Sequence, residues 1–590
     1  MDALLIVVVS FAGYLIAYHT YGRFLARRIF RLDDAAPTPS RDLEDGVDYV
    51  PTRKGIIFGH HYTSIAGTGP IVGPAIGIIW GWVPALIWVF AGSIVMGAVH
   101  DFGSLVVSLR NEGKSISEAA GRYVNKRARI LFFLIVFLEL LIVIAIFGVV
   151  IAGVFAMYPH SVVPIWAEVP IAVLLGLAVY KWKRNVLLST AVAVFAMYAT
   201  VLVGHMLPPV QLPKQASVGG LAVPAMGLWV LILLVYAYVA SCMPVTALLQ
   251  PRDYMNAWQL FIAMGLLIAG VIGSALTVDG FGIVAPAYNP SPSGAPPILP
   301  FLFITIACGA ISGFHCLVAS GTTPKQVRKE GDALFVGYGS MLMEAALATL
   351  VTVAVAAGIG MGFGGKTGLP AWQTHYASWG TVTGGGLKTK IDAFVHGSAN
   401  MLETLGLSHG LGLVIIGVFI ASFAGTTLDT ATRLQRYVIG ELASELKLPA
   451  ISNRWLATGI AVVTAGALAF SVGASGAGAL KLWPMFGAVN QLLAALALLV
   501  VTVYLQRKHA WGWLLTLIPC VAMLVITLWA VIVNERNFLD NRNWVLVIVN
   551  GATLVLAVGM VVEALVVFLR LLFGLTSRSQ SGLREPHARD

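Results

Sequence analysis

The sequence predicts an all-α polytopic membrane protein of about 15 transmembrane helices, some of them broken, and three observations carry that reading. Of 590 residues, 58% are hydrophobic and 11% charged, whereas a soluble globular domain carries about 25% charge. Apolar runs of about 20 residues, the length that crosses a bilayer as a helix, recur from end to end. The 62 glycines lie mostly inside those runs, where small residues let helices approach closely and allow the backbone to break. Composition therefore excludes a water-soluble fold.

The first run, 3–20, lacks a basic leader and a small-residue cleavage site, so it reads as a retained extra span rather than a secretion signal. Spans follow at 62–79, 83–109, 129–156, 163–180 and 185–206, then at 224–248, 258–278, 298–320, 333–360 and 408–430. The last four are 455–474, 482–505, 511–533 and 543–570. Assigning alternate loops to opposite sides leaves only Lys214, Lys366, Lys388, Lys390, Lys481, Arg536 and Arg542 on one of them. Loops rich in Lys and Arg stay in the cytoplasm, which places the N-terminus outside and the C-terminus inside. The net charge of +10 is thus a topology signal and implies no nucleic-acid partner. The polar tail, 577–590, reads as disordered. The external segment, 361–407, reads as a tether first and a lid over a pathway as the alternative, and neither it nor the cytoplasmic segment 21–61 suggests a separate enzymatic domain.

Three stretches break the smooth apolar pattern. Residues 60–74 read HHYTSIAGTGPIVGP; Pro70 removes a donor and clashes with the preceding turn, freeing carbonyls around Ala66 to Gly69. In lipid, a freed carbonyl is tolerated only where protein, water or an ion satisfies it. The second stretch, 239–252, reads VASCMPVTALLQPR, with Pro244 placed inside the span 224–248. The third, 308–325, reads CGAISGFHCLVASGTTPK. Residues 62–206 and 224–430 each hold five spans and so run in opposite senses, and each set begins with a proline-interrupted span. Interrupted segments at matching positions of two inverted halves point to a midplane binding site in secondary transporters. Packing kinks are the plainer alternative for either one alone.

At these residues the sequence resembles the carbon starvation protein A (CstA) family of bacterial inner-membrane transporters. The matching stretches are GHHYTSIAGTGPIVGP (59–74), SCMPVTALLQPRDYMN (241–256), ISGFHCLVASGTTPKQ (311–326), GYGSMLMEA (337–345), TTLDTATRLQRY (426–437) and WPMFGAVNQLLAALAL (483–498). The resemblance implies uptake of peptides or pyruvate during carbon limitation, on a five-plus-five inverted repeat of the APC-superfamily kind. It also implies location in the bacterial plasma membrane. The spans after about residue 505 carry no motif of the family.

Ionisable groups inside a span are costly and hence functional candidates. His60, a proton-handling candidate, and Ser64 share a helical face. His61, Ser64, Gly67, Thr68, Gly69, Ser241, Thr246 and His315 are the candidate substrate contacts. Glu344 lies deep in its span within a family motif, which ranks it above Glu139 as a proton or cation site. Ser320, Thr322 and Thr323, hydroxyls beside freed carbonyls, suit a hard cation such as sodium, with helix capping as the alternative. Asp101, next to His100 and so directed to another side of its helix, is a gate or ion-pair candidate close enough to the interface to snorkel. Lys325 is a gate residue or a partner for a substrate carboxylate. Asp429 and Arg433, one turn apart, suggest an internal ion pair with a gating role. The four cysteines show no metal-ligand spacing and the paired histidines lack a third ligand, so no metal and no cofactor are expected.

These readings predict a cation-coupled symporter for pyruvate or short peptides, driven by protons or sodium, with lipid as its surroundings. A channel or nutrient sensor on the same fold is the alternative. No H-E-x-x-H or G-x-S-x-G pattern supports an intramembrane enzyme.

Overall fold

The computed structural model describes residues 2–573 apart from 385–386 and 509–510. The tail expected to be disordered, 577–590, lies outside the described residues. The chain opens with α1 (Asp2–Ile29) and then a helix bent by 44° into two halves, α2 (Lys54–Ile65) and α3 (Gly69–Trp80). The break has a local cause: Pro70 has no N–H to give to the Ala66 carbonyl, and proline is well placed at the first turn of the new helix. Next come α4 (Trp82–Leu109), the short α5 (Ile116–Tyr123) and α6 (Lys126–Met157). The Asn125 side chain caps α6 by accepting from the N–H of Ala128.

A hairpin of α7 (Pro159–Lys181) and α8 (Val186–Met206) follows. It leads into a β-hairpin, Gln215–Val218 against Leu221–Pro224, that the apolar pattern does not predict. Its two-residue turn is Gly219 and Gly220, both at positive φ (58° and 84°), as a right-twisted hairpin requires. Then come α9 (Ala225–Cys242) and α10 (Leu249–Thr277). The halves α11 (Ile298–Thr305) and α12 (Gly313–Gly321) flank the unwound segment 306–312. The remaining helices are α13 (Leu334–Met361), α14 (Leu387–Glu403), α15 (His409–Glu445), α16 (Arg454–Ala469), α17 (Trp483–Lys508), α18 (Leu514–Asp540) and α19 (Trp544–Leu572). Among the described residues, 12 helices are long and apolar enough to cross a membrane, or 13 if the bent pair counts as one span.

Two expectations are corrected. Pro244 does not interrupt a span: α9 ends at Cys242, and 243–248 is the connection to α10. Pro251 sits in the first turn of α10, where a missing N–H leaves little unpaired. The second unwound crossing is 306–312 instead. The segment 361–407 is also no mere tether. It folds into helical turns at Gly368–His375 and Trp379–Thr383 and then α14. In α14, Ile391, Phe394, Val395, Ser398 and Leu402 form a buried face at helical spacing, packed on α15, α10, α13 and α3.

The longest helices, α6 and α15, pack on each other and form the spine. α2 lies against α10, while α12 lies between α4 and α17. A main-chain ribbon joins the two broken crossings at one end: the N–H groups of Val50 and Thr52 donate to the carbonyls of Lys325 and Gln326, each at 3.0 Å. Thr52 and Val327 form a parallel bridge there.

Candidate substrate and coupling site

The two unwound segments meet in the centre of the bundle, and glycine makes the approach possible. A Cβ on Gly69 would lie 2.3 Å from Cys308 Sγ, and one on Gly67 would lie 2.4 Å from Thr427 Oγ1 and 3.1 Å from the Phe147 ring. The start of α3, the segment 306–312, α6 and α15 therefore share one point. Ser64 joins the cluster through Thr430, with their hydroxyls 3.2 Å apart. Glu139 of α6 is fully buried, and neither of its carboxylate oxygens has a protein partner. Asn490 of α17 holds the second break: its Oδ1 accepts from the Phe314 N–H at 2.8 Å and its amide donates to Ser312 Oγ at 3.0 Å.

Behind the breaks runs a chain of buried ionisable groups. Asp101 accepts from Nδ1 of His100 at 2.8 Å and from Nδ1 of His315 at 3.0 Å. Because a carboxylate only accepts, both rings carry their proton on Nδ1 in this arrangement. Nε2 of His315 then faces Oε2 of Glu344 at 3.3 Å. This is close enough for an ion pair, yet neither atom makes an aligned hydrogen bond. All four side chains are buried. Cys308 Sγ lies within 4.8 Å of donor atoms of His315 and Glu344.

A second network lies on the side of α7, α9 and α10. Arg252 pairs with Asp429 at 2.5 Å and donates to the Tyr236 hydroxyl and to Thr426 Oγ1. The Ser422 hydroxyl donates to Glu168. Trp166, Glu168, Tyr236 and Arg252 line a small pocket beside Ser422 and Gly425.

Outside the membrane-spanning segments, the loop before α2 is latched to the end of α15. Asp48 accepts from Arg433 at 2.7 Å, Arg436 at 3.0 Å and the Tyr437 hydroxyl at 2.8 Å. Burial opposes its ionisation, but Arg433, Arg436 and Lys325 outweigh it and hold the Asp48 carboxyl down at about 2.

Several predicted site residues fall in these clusters, and others do not. His61 bonds Thr323 Oγ1 at 2.8 Å, whereas its neighbour His60, on another side of α2, pairs with Asp253 at 2.5 Å. Thr68, the last unwound residue before α3, is buried, and its carbonyl accepts from the Ile71 and Val72 N–H groups. Asp101 does not snorkel: it is fully buried, and it bonds the His100 side chain from which it was expected to point away. Asp429 and Arg433 do not pair with each other, because Arg252 and Asp48 are better placed for them. Lys325 has its ammonium 3.5 Å from the centre of the Tyr437 ring.

The hydroxyls of Ser320, Thr322 and Thr323 do not converge, since residues this close along a helical turn point to different sides. Ser320 accepts from the Ile116 N–H at the start of α5, Thr323 meets His61, and Thr322 Oγ1 is buried without a partner. Ser241 donates to the Asp429 carbonyl, so it belongs to the second network. Thr246 lies in the α9–α10 connection, where its carbonyl abuts Gly176 of α7, away from both breaks. Sequence reasoning missed Cys308, Ser312 and Asn490. Of these, the run WPMFGAVNQ, a polar pair inside an apolar span, was the legible signal.

Two helices unwound at facing positions, with ionisable groups buried behind them, define the class: a secondary transporter built on broken helices. The fold agrees with solved structures of a manganese transporter from Eremococcus coleocola. One mutant matches with TM-score 0.53 at 10% identity, covering 90% of this chain and 99% of that one, a likeness of fold alone. The chain belongs to the family described as carbon starvation protein CstA, whose family model matches residues 2–530. Among its relatives, the peptide transporter CstA of Helicobacter pylori strain J99 is 33% identical over 90% of this chain and 82% of its own length. The pyruvate/proton symporter BtsT of Escherichia coli K12 is 30% identical over 90% of this chain and 81% of its own length.

Proposed function

We propose that this protein is a proton-coupled importer of a small carboxylate nutrient, pyruvate or a short peptide, in the bacterial plasma membrane. The observation that carries the reading is the meeting of the two breaks at Gly69 and Cys308, directly beside His315 and Glu344. The substrate carboxylate sits at the start of α3, near Gly67, Thr68 and Gly69, where unpaired N–H groups and the helix dipole favour an anion. The coupling proton is carried by His315 Nε2 or Glu344, with Asp101 and His100 behind them. Coupling by protons rather than sodium is favoured because the hydroxyls at 320–323 form no oxygen cage, while His315 and Glu344, 3.3 Å apart, are two groups that can each take up and release a proton. The names of the relatives agree with this substrate class.

Because Pro244 breaks no span, the inverted repeats are proposed not at the expected 62–206 and 224–430 but as α2/α3, α4, α6, α9 and α10, then α11/α12, α13, α15, α16 and α17, each opening on a broken helix. The α7–α8 hairpin is an insertion in the first. Supporting this, corresponding helices keep corresponding neighbours: α3 packs on α13 as α12 packs on α4, and α9 packs on α15 as α16 packs on α6. The distribution of Lys and Arg supports an external N-terminus.

The test is uptake of labelled pyruvate and of a labelled dipeptide into proteoliposomes under separate proton and sodium gradients. Accumulation driven by the proton gradient is expected. Failure of both gradients to drive either solute would end the proposal.

A further inference from the structure

We propose that Cys308, His315 and Glu344 form a three-ligand site for a borderline-soft divalent cation of the zinc type. One donor atom from each lies within 4.8 Å of the others, in a fully buried location for His315 and Glu344 and with 8% exposure at Cys308. The 3.3 Å between His315 Nε2 and Glu344 Oε2 is too poorly aligned for a hydrogen bond. It matches the edge of a tetrahedron, about 3.3–3.4 Å, whose bonds to nitrogen and oxygen have the lengths zinc prefers. Nε2 of His315 and both oxygens of Glu344 have no other protein partner, although a buried polar group normally has one.

The surroundings are those of a ligand site. The other nitrogen of His315 donates to Asp101, the carboxylate–histidine arrangement that orients a metal-binding imidazole, and Asp101 is fixed in turn by His100. Cys308 has its own support: Ser312 Oγ lies 3.5 Å from Sγ and the Asn490 amide points at it from 3.7 Å. A thiolate, an imidazole and a carboxylate favour zinc or cobalt over calcium, magnesium or sodium. Three protein ligands leave a fourth position open. Binding releases the thiol proton, and any proton held between His315 and Glu344, to solvent. The bound ion ties Cys308, inside the second break, and His315 of α12 to Glu344 of α13. This consequence for transport rests on the function proposed above; the binding itself does not.

The experiment uses the full chain, purified in detergent, stripped by a chelator and titrated with cobalt(II). One cobalt per chain is expected, with the near-ultraviolet band of a thiolate–cobalt bond and the intense visible bands of tetrahedral geometry, all abolished by added zinc. Cys308→Ser should remove the thiolate band, Cys316→Ser should retain it, and Glu344→Gln should weaken binding at least 10-fold. A wild-type spectrum without a thiolate band overturns the site whether or not the variants fold, as does a band that survives Cys308→Ser. In proteoliposomes, micromolar zinc should inhibit uptake at least 10-fold, reversibly on chelation. Binding without inhibition would overturn the tie to transport and leave the site standing, whereas absence of all uptake would speak only against the transport reading.

Discussion

Nδ1 of His315 donates to Oδ2 of Asp101 over 3.0 Å, and this bond decides which ring nitrogen faces Glu344. Asp101 is thus a positioning residue: it holds the tautomer that leaves Nε2 open, and its second oxygen is occupied by His100.

Asp101→Asn places an amide where only an acceptor fits both rings, so His315 loses its fixed tautomer. Proton-driven uptake should fall by about 10–100-fold, by analogy with the loss on removing the carboxylate that orients a metal-ligating histidine. Its pH profile should shift while the protein still reaches the membrane and elutes as a single species. Initial rates against pH in proteoliposomes check this. A lower rate with an unmoved profile would reduce Asp101 to a packing role.

Gly69→Ala tests the contact between the breaks. The new methyl would lie 2.3 Å from Sγ and 2.5 Å from Cβ of Cys308, so one segment must move. Uptake should drop at least 10-fold, since misplacement by about 1 Å at a reacting or binding centre can have an effect of order 100-fold. Adding Cys308→Gly removes both clashing atoms and should restore part of the rate. Full activity in Gly69→Ala alone would place the substrate elsewhere.

Asp48 supplies a pH dependence whose sign is fixed. Its carboxyl is lowered from 3.8 to about 2, so its contribution is complete above about 4 and is lost as pH falls through 2. Asp48→Asn should lower stability at neutral pH by about 1.5–3 kcal/mol, the range for hydrogen bonds to a charged group. The variant should also lack that component of acid loss. Melting temperatures of both proteins between pH 2 and 7 give the comparison; parallel curves would contradict the latch.

Much of this architecture was legible because its causes are local. Pro70 following Gly67 and Gly69 dictates a break wherever the chain folds, and the apolar runs mark helices independently of their neighbours. Pro244 misled because a proline just beyond the last helical turn and one inside a helix look alike in a continuous apolar run. The distinction lies in where Cys242 ends α9. The partners of Asp429 and Arg433 were out of reach for another reason: spacing along one helix shows that two side chains can meet, but Arg252 and Asp48 come from distant segments that only packing brings close. The face of α14 was readable at helical spacing, yet the glycines and threonines around it concealed the pattern.

The ribbon of Val50 and Thr52 against Lys325 and Gln326 has a mechanical meaning. One strand leads directly into α2 and the other leaves α12, so one half of each broken crossing is yoked to the other at one end like two oars on a common pin. Gln250 adds a cross-tie, donating to Thr52 at 3.0 Å and to Gln326. Neither half can swing outward by itself without tearing main-chain bonds. A displacement at the first break is therefore carried to the second through the backbone.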